Sequence, residues 1–159
     1  MTGLRIREIT RRDLDPTVAV WQRSRAQGQP WVEERMGYTQ EQNRKHFRDV
    51  VMRQEQVWVA EEGDAIVGLL SLAAGQVGQL FVDPPAQGRG VGSALLQKAK
   101  LLWPQGLTLF TFQRNERARA FYERRGFRAV TFGISPEPES EPDVKYVWEP
   151  DVASDPAPN

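Results

Sequence analysis

The spacing of apolar and polar residues divides the N-terminal third of the chain into one strand and two helices. The segment from Leu4 to Ile9 alternates between apolar and polar side chains and predicts a first strand. Apolar residues then recur at helical spacing after Asp13, which we expect to cap the first helix. After a loop rich in glycine and proline, Thr39 and Gln42 have the pattern of a capping box, which predicts a second helix through about Met52.

The remaining two thirds of the chain alternate between strands and two further helices. Gly63 and its neighbours mark a hairpin, Pro104 ends the first of these helices, and Gly126 stands where the second should end. The element order βααβββαβαββ is typical of an α/β protein with one central mixed sheet. We predict strands at 57–61, 65–72, 77–82, 107–112, 127–132 and 144–148, and helices at about 91–102 and 115–124.

Composition narrows the classes of protein that fit this pattern. The 159 residues are 40% hydrophobic, so we expect one domain over residues 1–148 and a disordered tail over 149–159. With no cysteine and a single histidine, His46, the chain has no disulfide or cysteine nucleophile and gives no reason to expect a metal. No N-terminal signal and no apolar run of about 20 residues are present, which predicts a cytoplasmic protein that does not associate with membranes.

Charge is distributed unevenly along the chain. The 21 basic and 21 acidic residues balance, but seven of the acids and one of the bases follow Phe132. The part before Phe132 therefore has an excess of six positive charges, which suits an anionic ligand such as a phosphorylated cofactor and equally fits an arginine-rich surface. Because no dense basic run interleaved with aromatic residues is present, we expect no nucleic-acid partner.

The segment most indicative of function is a glycine-rich connection between a predicted strand and a predicted helix. Residues 83–92 read Asp-Pro-Pro-Ala-Gln-Gly-Arg-Gly-Val-Gly. Glycines let phosphate oxygens approach the backbone, and the N–H groups at a helix start attract anions. The segment has no lysine for a Walker motif, and Ser93 occupies the third glycine position of a dinucleotide-binding fingerprint. Neither of those two sites fits.

Two segments instead resemble motifs of one enzyme family. Motif A of the GNAT family of N-acetyltransferases, Gln/Arg-x-x-Gly-x-Gly/Ala, is matched by Gln87-Gly88-Arg89-Gly90-Val91-Gly92. Its motif B, Asn-x-x-Ala-x-x-Phe-Tyr-x-x-x-Gly-Phe, is matched by residues 115–127, and the element order agrees over about 4–148. The resemblance implies a GNAT-type acyl-CoA N-acyltransferase fold and acetyl transfer from acetyl-CoA to a primary amine of a small molecule or peptide, by direct attack in a ternary complex. The alternative is a non-catalytic acyl-CoA-binding sensor or regulatory module.

The resemblance also implies which residues contact the cofactor. The pyrophosphate would lie on backbone amides of the glycine loop, and the pantetheine arm would pair with the strand before it, which splays from its neighbour. Asn115 and Tyr122 would lie near the thioester, although Asn115 is equally well explained as a helix cap. The expected cofactor-binding residues are Leu80, Phe81, Val82, Gln87, Gly88, Arg89, Gly90, Val91, Gly92, Asn115 and Tyr122.

Acetyl transfer needs a base for the ammonium and an acid for the departing thiolate. We expect Tyr122 to be the general acid, since the ordinary pKa of a phenol, about 10, is close to that of an alkyl thiol. Backbone N–H groups, including that of Val82, would stabilise the oxyanion. Many relatives have a glutamate on the strand before motif A, but Gln79 stands here and cannot act as a base. The base is therefore unassigned.

The segment between the first two predicted helices is where members of this family usually build the acceptor pocket. Trp31 and Tyr38 are candidates for its walls, and Glu33 or Glu34 for the attraction of a cationic amine. The same four residues also fit a solvated loop whose aromatic rings pack on the core. Dimers are common in this family, so a homodimer is compatible with the resemblance.

Overall fold

Seven strands form one mixed sheet in the computed structural model, which describes residues 3–150. The strands are β1 (Leu4–Glu8), β2 (Gln56–Glu62), β3 (Ala65–Ala73), β4 (Gln76–Val82), β5 (Leu107–Phe112), β6 (Arg128–Ile134) and β7 (Pro142–Trp148). Their order across the sheet is β1-β2-β3-β4-β5-β7-β6, and all neighbours are antiparallel except β4 and β5. Residues 151–159 of the predicted tail lie outside the described residues.

Helices cover both faces of the sheet. They are α1 (Leu14–Gly28), α2 (Pro30–Met36), α3 (Gln40–His46), α4 (Met52–Gln54), α5 (Val91–Leu102) and α6 (Glu116–Glu123), with a π-helical turn at Phe47–Val51 and 3₁₀ turns at Arg11–Asp13 and Pro84–Ala86. One face packs around Trp21 and Phe47, and the other around Leu95 and Tyr146. The predicted α/β class with one mixed sheet is confirmed. Within residues 3–150 no helix is long and apolar enough to cross a membrane.

The helix α2 lies where the sequence pattern predicts a loop. Gly28, Pro30 and Gly37 are turn residues, and together they favour a loop. In the structure Pro30 is the first residue of α2, where its missing N–H is not needed, and Gly37 ends the helix with a left-handed φ of 61°. The predicted order is wrong at this point, because three helical segments stand between β1 and β2; α3, the π-helical turn and α4 form one continuous stretch.

Asp13 directly precedes α1, as predicted, but its side chain makes no capping hydrogen bond to that helix. The Asp13 carboxylate accepts a hydrogen bond from the backbone N–H of Thr10 at 2.7 Å and pairs with Arg7 at 2.7 Å. The hydrogen bond from Arg7 holds the pKa of Asp13 well below its usual range. Asp13 thus closes the preceding 3₁₀ turn onto β1. The predicted capping box of Thr39 and the cap of Asn115 are both present.

Strands β4 and β5 are paired only at one end. Residues 76–77 pair with residues 108–109, and no further pair joins the two strands within the described chain. Each strand keeps its outer neighbour, β4 as far as Val82 and β5 as far as Phe112. A wedge-shaped gap therefore opens in the middle of the sheet, at the end where β4 runs into the glycine loop.

The backbone of β4 presents hydrogen-bonding groups to this gap. The N–H of Asp83 donates to the C=O of Val67 on the β3 side at 2.8 Å. Because the polar groups of successive strand residues alternate between the two sides, those of Leu80 and Val82 point away from β3. Consistent with this, the C=O of Val82 accepts a hydrogen bond from the Gln87 side chain at 3.0 Å. The gap is thus lined by strand backbone that β5 does not satisfy.

Candidate active site

The glycine loop brings the start of α5 to the open end of the gap. Gly88 and Gly90 have left-handed φ values of 79° and 88°, and a Cβ atom on either would meet nothing within 4 Å. Gly90 is the residue that precedes α5, a helix of 12 residues. Open space therefore lies beside the loop at the point where α5 begins. This arrangement favours a bound anion.

A cleft of about 430 Å³ lies beside this loop, between the end of α1, β4 and α6. Among the described residues, its lining includes the arginines Arg117, Arg124 and Arg125 and no aspartate or glutamate. The combination of a helix start, glycine backbone and three guanidinium groups makes the cleft electropositive. Such a cleft fits a ligand with several phosphates.

Helix α6 is fixed to the start of α5 by one arginine and one aromatic ring. The Arg125 guanidinium donates to Ser93 Oγ at 2.7 and 3.0 Å and to the C=O of Phe121 at 3.0 Å. It also lies over the Phe121 ring, 3.8 Å from the centroid. A Cβ atom on Gly92 would stand 3.2 Å from the same ring. Glycine at this position therefore lets the two helices approach closely.

The side chain of Gln87 ties the loop to its surroundings. Its Nε2 donates to the C=O of Val82 at 3.0 Å and to Gln27 Oε1 on α1 at 2.7 Å. Gln27 is 60 residues earlier in the chain, so the contact joins the loop to the opposite wall of the cleft. The first position of motif A thereby fixes the loop between α1 and β4.

Tyr122 lies at the inner end of the cleft. Its ring is 8% exposed and packs edge-on against Phe121 and Phe127, with centroids 5.2 and 5.6 Å away. Burial raises the pKa of the phenol above its ordinary value, and no described charge opposes the shift. The hydroxyl therefore stays protonated across the physiological range. Tyr122 is thus a protonated phenol among the residues that line the cleft.

A second cavity, of about 1,100 Å³, lies on the other side of the gap. It is lined by residues of α1, α3 and α6, of the strands β4, β5, β6 and β7, and of the loop between β6 and β7. Five residues line both cavities, and they mark the place where the two spaces meet. They are Leu80, Phe81, Asn115, Ala118 and Tyr122.

About half of the residues that line the second cavity are polar, and they come from helices, strands and loops. Gln79 accepts a hydrogen bond from Trp21 Nε1 at 3.0 Å, so its side chain has a structural partner. The imidazole of His46 stacks on the Trp21 ring, with the two ring centroids 6.2 Å apart. Asp143 and Glu139 are the carboxylates of the lining. Within residues 3–150, no cluster of three or more histidine or carboxylate side chains could hold a metal ion.

Comparison with known proteins places this architecture in one family. The family model described as "Acetyltransferase (GNAT) domain" matches residues 53–129. The peptidyl-lysine N-acetyltransferase YiaC of Escherichia coli (strain K12) is 32% identical over 126 residues, which are 79% of this chain and 84% of that protein. This chain belongs to the GNAT family of acetyltransferases. The predicted resemblance is confirmed, and so is the prediction of an acyltransferase.

Solved GNAT structures share the fold. The solution structure of apo YjaB from Escherichia coli superposes with a TM-score of 0.73 at 26% identity, covering 92% of this chain and 97% of that one. The PaiA N-acetyltransferase from Thermoplasma acidophilum, solved in complex with coenzyme A, has a TM-score of 0.68 at 16% identity and covers 92% and 99%. At that identity the second likeness concerns the fold alone. Members of the GNAT family use acetyl-CoA.

Most residues expected to bind the cofactor lie around the first cleft. Arg89 and Val91 do not line it: Arg89 pairs with Glu62 at 3.1 Å, and Val91 is buried in the core. The predicted residues that do line the cleft are Leu80, Phe81, Val82, Gln87, Gly88, Gly90, Gly92, Asn115 and Tyr122.

The four residues expected at the acceptor pocket are not brought together. Tyr38 lines the second cavity. Trp31 lies under the Arg114 guanidinium, 4.6 Å from its ring centroid, and Glu34 is exposed. Glu33 pairs at 3.0 Å with Arg25, which itself lines the cavity. Glu33 therefore does not line the second cavity itself but contacts it through the side chain of Arg25.

Sequence reasoning missed two groups of cleft residues. The cleft residues on α1 could not be predicted, since nothing in the sequence indicates that α1 contacts a loop 60 residues later in the chain. The arginines of α6 had a signal: Arg117, Phe121, Arg124 and Arg125 recur at helical spacing within motif B and share one face. The missed lining residues are Ser24, Gln27, Gly28, Ser93, Arg117, Ala118, Phe121, Arg124 and Arg125.

Proposed function

We propose that this protein transfers the acetyl group of acetyl-CoA to a primary amine, with a lysine side chain of a peptide or protein as the acceptor. The observation that carries the proposal is the meeting of two cavities at Tyr122. One cavity is electropositive and narrow, and the other is larger and carries carboxylates. Two relatives, YiaC and YjaB of Escherichia coli, are named peptidyl-lysine N-acetyltransferases, which supports the acceptor class.

The donor is bound mainly by backbone. The pyrophosphate lies on the N–H groups that follow Gly88 and Gly90, with the arginines of α6 beside it. The pantetheine arm extends along β4, where the polar groups of Leu80 and Val82 face the gap. Its amides complete the hydrogen bonding that β5 leaves open, in the way that a peptide adds to a sheet edge. The thioester then reaches Tyr122.

The transfer proceeds in one ternary complex. The acceptor enters by the second cavity, and its neutral amine attacks the thioester carbonyl, because the two cavities hold the reactants side by side. The N–H of Val82, directed into the gap, stabilises the oxyanion. As the C–S bond breaks, Tyr122 donates its proton to the sulfur. Burial raises the pKa of Tyr122, and the same environment also disfavours the thiolate, so the proton transfer remains feasible.

Turnover with defined acceptors tests the proposal. Acetyl-CoA is supplied with a blocked peptide containing one lysine, with a peptide whose only amine is its N-terminus, and with a small diamine. Thiol release and the mass of each acceptor are measured, with reactions lacking acceptor as the control. We expect acetylation of the lysine peptide. Preferred modification of the diamine would refute the peptide class, and tight binding of acetyl-CoA without modification of any amine would support the non-catalytic alternative.

A further inference from the structure

Asp143 is a buried carboxylate without a counter-ion. It lies near the start of β7, is 7% exposed, and lines the second cavity. Within residues 3–150 no lysine, arginine or histidine pairs with it, and only its own backbone N–H approaches its oxygens. Burial consequently raises the pKa of Asp143. An unpaired carboxylate in such a place destabilises the fold, which indicates a role in function.

The sheet holds this carboxylate towards the cavity. Asp143 stands opposite Phe112 on β5 and Gly133 on β6, and both of these residues also line the cavity. A Cβ atom on Gly133 would be 3.7 Å from Asp143 Oδ1, so the carboxylate extends over the glycine. Gln113 Nε2 donates to the backbone C=O of Asp143 at 2.9 Å and fixes the strand. The position is rigid and faces the acceptor space.

The other carboxylates near the site are occupied or peripheral. Glu55 accepts a hydrogen bond from Ser71 Oγ at 2.7 Å and does not line the cavity. Glu141 is engaged by Arg35 at 3.3 Å. Glu139 lines the cavity from the irregular loop between β6 and β7. Asp143 alone among these is both on a strand and unpaired, within the part of the chain that the structure describes.

We propose that Asp143 is the general base that takes a proton from the acceptor ammonium before the amine attacks. This rests on the proposed function, since it names a residue of the same reaction. The ammonium gives one proton to Asp143, which passes it to solvent. The neutral nitrogen forms the C–N bond and loses its second proton as the C–S bond breaks; that proton restores Tyr122, whose own proton goes to the sulfur. One amide, one thiol and one released proton balance the reaction.

The pH dependence must be read against the other groups that face the cavity. These come from several elements: Arg25 from α1, Tyr38 before α3, His46 from α3, Tyr122 from α6 and Glu139 from the β6–β7 loop. His46 and Glu139 supply the imidazole and the other carboxylate of the lining, so their variants belong in the experiment as controls.

The experiment measures kcat against pH for a blocked lysine peptide at saturating acetyl-CoA. The wild-type rate should fall as pH is lowered and Asp143 becomes protonated. This fall is the acidic limb of the pH profile. Asp143→Asn should lower kcat by about 10²–10⁴-fold at neutral pH and abolish this limb, leaving a rate that follows deprotonation of the amine itself. Asp143→Glu should restore part of the rate and the limb.

His46→Gln and Glu139→Gln should retain the limb. Glu149→Gln, an exposed carboxylate just after β7, should match wild type.

Binding and folding measurements separate the possible failures. Asp143→Asn should bind acetyl-CoA as wild type does and should melt no lower at neutral pH, because a neutral amide replaces a raised-pKa carboxylate. With a weakly basic acceptor that is already neutral, its defect should shrink. If wild type acetylates no amine, the proposed function fails; if wild type is active and Asp143→Asn keeps its rate and limb, this inference alone fails. If the asparagine variant does not fold, either of two other results would overturn the inference about Asp143. One is a wild-type pH profile without an acidic limb, and the other is loss of that limb in Glu139→Gln.

Discussion

The two cavities of this protein are built by different means. The first cleft is lined by the end of α1, by β4, by the glycine loop and by α6, and most of the residues predicted for it come from two short segments, residues 87–92 and 115–127. The second cavity is lined by residues of α1, α3 and α6, of the strands β4 to β7 and of the loop between β6 and β7. A backbone site tolerates many sequences and keeps one ligand. In the proposed function the donor is held mainly by backbone and the acceptor by side chains, so we expect substitutions to alter the acceptor more readily than the donor.

The largest effect should come from Tyr122, one of the five residues that line both cavities. Tyr122→Phe keeps the ring and its contacts with Phe121 and Phe127 but removes the proton donor. We expect kcat to fall by about 10²–10⁴-fold with acetyl-CoA affinity nearly unchanged. Single-turnover rates with a confirmed acceptor are the measurement. A chemical step within about threefold of wild type would reduce Tyr122 to a packing residue.

The next largest effect should come from filling the backbone site. In Gly90→Val the side chain would project into open space beside the start of α5, where we place the pyrophosphate. Acetyl-CoA affinity measured by calorimetry should fall by about a hundredfold, roughly 2.7 kcal/mol.

The same substitution strains the backbone, so it needs a matched control. A valine at a left-handed φ costs about 1–3 kcal/mol, and both variants should melt several degrees lower. Gly63→Val has a similar φ of 62° and open surroundings but lies in the β2–β3 hairpin. It should bind acetyl-CoA normally. Equal losses of affinity in the two variants would mean that strain, and not occupation of the phosphate position, is being measured.

A smaller effect should come from one charge of the cleft. Arg125→Gln removes a guanidinium, and acetyl-CoA affinity should fall by about tenfold, with less loss at high salt. Ser93→Ala removes the main hydrogen-bond partner of Arg125 but keeps the charge, and its affinity should stay within about threefold. If both variants lose affinity equally and without salt dependence, Arg125 serves to position α6.

The smallest effect should distinguish two neighbouring acids on the acceptor side. Glu33 holds Arg25, which lies over Trp21 at 4.3 Å and lines the cavity; Glu34 is exposed on the same helix. Glu33→Gln should raise the KM of the peptide by a few-fold because Arg25 is released. Glu34→Gln should leave the KM unchanged. A larger effect of Glu34→Gln would place the acceptor on the outer face of α2.

The donor side was predictable from sequence because its information is local. The glycines of the loop, the cap at Asn115 and the glycine at 126 each follow from a short run of residues. The helix α2 was missed because proline and glycine serve both to start and end helices and to form loops. Arg89 was expected at the cofactor because of its place in the motif, but its partner Glu62 comes from a hairpin that no motif includes.

The acceptor side was not predictable because it depends on sheet order and register. Asp143 has no motif around it, and its importance arises only when β7 is placed beside β5 and opposite Gly133 of β6. Likewise the place of Gln79 on β4 was recognised from sequence, but not its hydrogen bond with Trp21 across 58 residues. Contacts at such separations need the fold itself.

The gap between β4 and β5 leaves two strand edges inside the molecule. A strand edge with unsatisfied N–H and C=O groups usually invites another polypeptide, which leads to aggregation. Here α1 and α6 stand near the two faces of the gap, and an added polypeptide strand would project side chains onto both faces. A slender chain with amides but no side chains meets no such obstacle. We therefore expect this sheet edge to accept a slender small molecule and to exclude a polypeptide with the same hydrogen-bonding pattern.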